Sequence, residues 1–71
     1  MARNYARDYK EIVPFAKNYV GKLAVECIDD YADKRKIASH RAGKAFWDKV
    51  DEGEIQTFSI NGYAYIKGVS S

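Results

Sequence analysis

Between residues 34 and 44 the chain carries Lys34, Arg35, Lys36, Arg41 and Lys44, five side chains that are cationic at neutral pH, together with its single histidine, His40. Ammonium and guanidinium groups gathered in this way bind phosphate oxygens, and Arg or Lys can also read the O6 and N7 edge of guanine in a major groove. Ser39 adds a hydroxyl suited to capping a helix or bonding a phosphate. On a helical wheel over residues 39–50, His40, Arg41 and Lys44 lie opposite a stripe of Ala42, Ala45, Phe46 and Val50, with Trp47 at its edge and Asp48 on the exposed side. The pattern predicts a helix with one apolar and one basic side. The same charges can also be read as a solvated face, and Asp48, Asp51, Glu52 and Glu54 suit that reading because they would repel a phosphate backbone near the helix end.

Other reactive residue types point away from catalysis. Cys27 is the only cysteine, so it forms no intramolecular disulfide, and with one histidine it cannot complete the ligand set of a zinc site. No companion base is evident for it, so it reads as a core thiol. Asp29 and Asp30 fit a helix cap better than a catalytic pair, and no His–carboxylate–nucleophile set or phosphate-binding glycine loop is present. A chain of 71 residues buries only about 60% of its unfolded surface, too little for a core and a deep cleft together. Neither enzyme activity nor a cofactor is expected.

With 46% hydrophobic residues, 31% charged residues and one proline, the composition is that of a folded single domain, residues 1–71. No run approaches 18 apolar residues, and Met1 to Tyr5 lacks the features of a secretion signal. A cytoplasmic protein without membrane contact is expected. The net charge of +2 is too small to identify a polyanionic partner, so the placement of charge has to carry that question.

Apolar residues recur at helical spacing at Tyr5, Tyr9, Ile12, Phe15, Tyr19, Leu23, Cys27 and Tyr31. Pro14 has no amide proton and is tolerated best in a first turn, so helices are predicted over 3–12 and 14–27 with a boundary at Val13 and Pro14. Gly21 is then a weak point inside a helix. Asp29 and Asp30 are predicted to cap a fresh short helix reaching Arg35, in preference to one unbroken helix from Pro14 to Lys36. Ser39 is the predicted N-cap of the next helix, which ends near Asp51 with Gly53 as a left-handed stop. Gly43 inside that helix is attributed to close packing. Beyond Glu54 the period changes to that of strands flanking Asn61-Gly62, the dipeptide best suited to a two-residue type I′ turn. That turn pairs Ile60 with Tyr63 and Phe58 with Tyr65 on one side and Thr57 with Ile66 on the other.

The stretches Ile28-Asp-Asp-Tyr-Ala-Asp-Lys-Arg-Lys-Ile37, Phe46-Trp-Asp-Lys-Val-Asp-Glu-Gly-Glu-Ile55 and Phe58-Ser-Ile-Asn-Gly-Tyr-Ala-Tyr-Ile66, with Ser39 between the first two, resemble the small winged helix-turn-helix domains of the excisionase and MerR-like group. These are common among phage and mobile-element proteins. The resemblance covers about residues 28–67 and implies a mainly α fold of three or four helices closed by a C-terminal β-hairpin. It divides the chain into a helical extension (1–27), a helix-turn-helix (28–51) and a wing (54–67). It further implies a small regulatory or architectural protein that binds double-stranded DNA with residues 39–50 in the major groove. The DNA-contacting set is then Lys34, Arg35, Lys36, Ser39, His40, Arg41 and Lys44, with Asn61 and Lys67 from the hairpin. The chain departs from the pattern in a recognition helix about one turn longer than usual and in a wing tip without Arg or Lys. The alternative from another class is a phage-type inhibitor or adaptor that binds a host protein through an aromatic surface, which six tyrosines would suit.

One short recognition helix reads few base pairs, so pairing of copies is expected on DNA. Tyr5, Tyr9 and Ile12 form one apolar stripe of the N-terminal helix and are the sequence's candidates for self-association, whereas Arg3, Arg7, Lys10 and Glu11 occupy the opposite face. Equally, this helix could simply cover the core of its own chain.

Overall fold

The computed structural model describes residues 5–70, with side chains from residue 10 onward. Three helices, α1 (Tyr5–Ala16), α2 (Ala24–Arg35) and α3 (Ser39–Asp51), are followed by an antiparallel hairpin of β1 (Ile55–Ile60) and β2 (Tyr63–Val69). The chain is thus mainly helical with a C-terminal two-stranded sheet, as expected. No helix among the described residues is long and apolar enough to cross a membrane.

The helix boundaries of the first half differ from the sequence expectation. α1 runs through Pro14 without a break. Ile12, Val13 and Ala16 are all buried, and that burial outweighs the single backbone bond that Pro14 removes. The carbonyl left without a helical partner belongs to Lys10, an exposed residue that water reaches. After α1 a single 3-10 turn, Lys17–Tyr19, leads to Gly21 at φ +86°, so the chain turns here and the predicted helix over 14–27 is interrupted. Gly21 serves this turn and not close packing, since nothing lies within 4 Å of where its Cβ would stand. α2 then continues past Asp29 and Asp30, which do not start a new helix. Ala24, Cys27, Ile28, Tyr31 and Ala32 keep one buried stripe unbroken across that point, while both aspartates face solvent and Asp30 accepts a hydrogen bond from the Tyr19 hydroxyl at 2.5 Å.

Tyr31, Phe46, Ile12, Ile55, Ile66 and Cys27 are the largest fully buried side chains and draw on every helix and both strands. Phe15 packs edge-on to Tyr31 and stacks on Tyr19, extending this core to its margin. Ile12, a candidate for self-association, is fully buried in its own chain and offers no surface to a second copy. The side chains of Tyr5 and Tyr9 lie outside the described residues. Cys27 is a buried free thiol whose pKa burial pushes up to about 12, so it stays protonated and unreactive in the fold.

The hairpin has the predicted turn and register. Asn61 (φ +54°) and Gly62 (φ +83°) occupy the tip, with Ile60 opposite Tyr63, Phe58 opposite Tyr65 and Thr57 opposite Ile66. Next to Thr57 the register shifts by one, because Gln56 pairs with Gly68 and leaves Lys67 as the extra residue of a bulge. Gly62→Ala is expected to lower stability by about 1–2 kcal/mol, the cost of a Cβ in the left-handed region. Urea unfolding followed by circular dichroism would measure it, and an unchanged midpoint would contradict this turn geometry.

On its other side β2 meets the segment leading into α2. The Gly21 amide donates to the Ile66 carbonyl at 2.8 Å, the Ile66 amide to the Lys22 carbonyl at 3.0 Å, and Leu23 bridges antiparallel to Tyr65. This short link ties the hairpin to the helices, which a lone two-stranded ribbon needs for stability.

Candidate nucleic-acid interface

α2 and α3 are joined by only three residues, 36–38, and the joint is a closed hydrogen-bonded cap. Lys36 adopts a left-handed conformation at φ +57°, its amide bonds the Asp33 carbonyl, and the Ile37 amide bonds the Ala32 carbonyl at 3.0 Å. These are the two bonds of a Schellman motif, which normally places glycine where Lys36 stands. Ile37 follows, packed against the core, and fixes the angle at which α3 leaves. Lys36→Gly is therefore expected to raise stability by about 0.5–1 kcal/mol, read as a higher urea midpoint, since it removes left-handed strain at some cost in unfolded-chain entropy.

α3 begins at Ser39, and its N-cap is Ala38, which offers no side-chain bond to the helix. Ser39 is thus the first helical residue and not the predicted cap, leaving its hydroxyl on the exposed surface. Along α3 the exposed stripe is His40, Lys44, Trp47 and Asp51, spaced four, three and four residues apart. Lys44 is 70% exposed and stands 3.5 Å from Asp48, a surface pair too weak to hold it. Arg41 lies at the boundary of the stripe and is half-buried. Trp47, which the wheel places at the edge of the apolar stripe, is exposed, and its ring meets that of Phe46 edge-on at 4.9 Å. Its membership of the exposed stripe was visible from its spacing to Lys44 and was masked by its hydrophobicity.

The run Lys34-Arg35-Lys36 is divided between two surfaces. Arg35 donates to Glu11 of α1 at 2.6 Å with its side chain largely shielded, and the Lys34 ammonium sits 5.5 Å from the centre of the Phe15 ring. Both therefore line a hollow between α1 and α2 together with Pro14, Asn18 and Tyr31. Lys36 and Ser39 instead line a shallow hollow at the α2–α3 joint, where Asp29 and Asp33 bring negative charge. Lys34 and Arg35 thus lie on a different surface from Lys36 and Lys44, although all four fall within eleven residues of sequence. The separation arises because residues 34 and 35 still belong to α2 and are aimed by its turn towards α1.

At the far end of α3 the acidic residues are partly neutralised from within. Lys49 is largely buried and bonds Glu52 at 3.0 Å and Glu54 at 3.1 Å, which raises its pKa and lowers that of Glu54. Glu52 and Glu54 thus weigh less against a phosphate partner than their sequence position suggests, whereas Asp51 is exposed and Asp48 is half-buried beside Lys44. Asn61 stands exposed at the hairpin tip and Lys67 exposed in the bulge. Gly43 has ordinary space around it, the nearest neighbour of an added Cβ being Ile28 Cγ2 at 3.8 Å, so close packing does not demand glycine there. Gly43→Ala is expected to stabilise the fold by about 1 kcal/mol, visible as a raised thermal midpoint. No group of three His, Cys, Asp or Glu side chains that could hold a metal ion occurs among the described residues.

Comparison of the chain with protein-family models, curated proteins and solved structures finds no match in any of the three.

Proposed function

We propose that the protein binds double-stranded DNA in the manner of a small winged helix-turn-helix, with α3 in the major groove and the β1–β2 hairpin as the wing. The observation that carries this reading is the hydrogen-bonded three-residue joint followed by a helix whose first two turns expose Ser39, His40 and Lys44. A helix presented by its first two turns, with hydroxyl, imidazole and ammonium groups outward, matches the donors and acceptors of base edges and phosphates. In this reading Lys44 and Arg41 work in the groove and Lys36 at a phosphate, while Lys34, Arg35 and Lys67 lie at the periphery. Asn61 brings a neutral amide to the tip, so this wing contributes shape and hydrogen bonding in place of charge.

Fluorescence anisotropy on a labelled duplex tests the proposal. For three or four neutralised phosphates, affinity is expected to fall roughly 40- to 150-fold between about 50 and 200 mM salt. Absence of duplex binding at about 50 mM salt would reject it. The competing reading, an adaptor that binds another protein, draws on the exposed Trp47. It would require a stoichiometric complex with a protein partner whose affinity changes little with salt.

A further inference from the structure

The face of the hairpin turned away from the helices is apolar, and among the described residues the outer edge of its marginal strand, β1, is not paired. Phe58 is 39% exposed, Ile60 50% and Tyr63 61%, and Phe58 stacks on Tyr65 with ring centres 5.6 Å apart. From Ile55 to Ile66 not one residue is charged, in a chain where 31% of residues are. β2 is bonded on both sides, by β1 and by the Gly21–Leu23 segment, whereas among the described residues β1 is bonded by β2 alone.

The bonding pattern shows which groups of β1 are open. Ile66 uses its amide and carbonyl on Lys22 and Gly21, so its opposite residue, Thr57, belongs to a non-hydrogen-bonded pair and turns its own amide and carbonyl to the open side. Ser59, two positions along, does the same. Among the described residues no backbone bond outside the hairpin engages either of them. Sheets commonly protect such an edge with a lysine, a proline or a bulge in the edge strand, yet β1 has no lysine or proline and the bulge lies in β2.

We propose that β1 pairs antiparallel with β1 of a second copy of this chain, about a two-fold axis through Phe58. Thr57 then exchanges both backbone bonds with Ser59 of the second copy, and Phe58 faces its own counterpart in a non-hydrogen-bonded pair. With the axis perpendicular to the sheet, both copies keep their helices on the same side, and the Tyr65–Phe58 stack is doubled into a row of four rings. A second copy is the occupant because residues near a two-fold axis meet themselves, so any charge there would face a like charge. An uncharged run is what such self-pairing needs. Pairing also closes at two chains, since the other sheet edge, Gly21–Leu23, is a short segment held between a turn and α2. The proposal rests on the hairpin alone and holds whether or not the protein binds DNA.

Sedimentation equilibrium from about 1 µM to about 1 mM is expected to show the mass rising from monomer to dimer and no further. Ser59→Pro removes the amide aimed at the open side, a change that an edge strand tolerates, and is expected to leave the circular dichroism spectrum unchanged while abolishing the dimer. Phe58→Cys is expected to form an intermolecular disulfide under mild oxidation, because Cα atoms of a non-hydrogen-bonded pair lie about 4.5 Å apart. Ile60→Cys is not, because in this register its counterpart is about 13 Å away. A wild-type protein that stays monomeric throughout, a folded Ser59→Pro variant that still dimerises, or Ile60→Cys cross-linking as readily as Phe58→Cys would each overturn the proposal. The cysteine pair decides the matter if Ser59→Pro does not fold.

Discussion

Phe46→Ala is expected to lose about 3–5 kcal/mol, a large share of the stability of so small a domain. Phe46 is fully buried on α3 and is among the largest of the fully buried side chains, together with Tyr31, Ile12, Ile55, Ile66 and Cys27. Its removal gives up the transfer energy of an aromatic ring and opens a cavity in the core, which close packing of the neighbouring side chains closes only in part. A domain of this length has roughly 5–10 kcal/mol to lose. Phe58→Ala provides the comparison, since Phe58 is already partly in water, and should cost only about 1 kcal/mol through its stack with Tyr65. Urea unfolding followed through Trp47, the single tryptophan, measures both. Equal shifts in midpoint for the two variants would show that the core is not centred where the buried residues place it.

Arg41→Ala combined with Lys44→Ala is expected to weaken duplex binding by about 2 kcal/mol or more, roughly 30-fold, and to reduce the salt slope by about two. The singles should differ. Lys44 is exposed on the groove-facing stripe, and its loss should lower affinity and slope with little effect on stability, because its pair with Asp48 is a surface one. Arg41 is half-buried, so Arg41→Ala is expected to cost stability as well as binding. Measuring the urea midpoint beside the anisotropy titration separates these effects. If the folded double variant binds duplex as well as the wild type, α3 is not the contacting helix.

Several features were legible in the sequence because they are set by neighbours in the chain. The Asn61-Gly62 turn and its register follow from two residues that accept positive φ, and from the alternation of Ile60, Phe58, Tyr63 and Tyr65 around them. The extent of α3 and its buried side followed from the spacing of Ala42, Ala45 and Phe46, and Gly53 marked its end.

What the sequence left undetermined depended on residues far apart in the chain. Pro14 and the Asp29-Asp30 pair are local signals for ending or starting a helix, and both were overridden because Ile12, Val13 and Ala16 in one case, and Cys27, Ile28, Tyr31 and Ala32 in the other, are buried against other elements. The left-handed Lys36 had no local signature, since its conformation is imposed by the packing of Ile37 and the path into α3. The candidate site divides the same way. Sequence spacing grouped His40 with Lys44 on one face of a helix, but only the tertiary structure could turn Arg35 to Glu11 and Lys34 to Phe15, because both partners belong to α1. Local propensity and periodicity set the elements of this protein, and long-range burial set their ends and the directions in which their charges point.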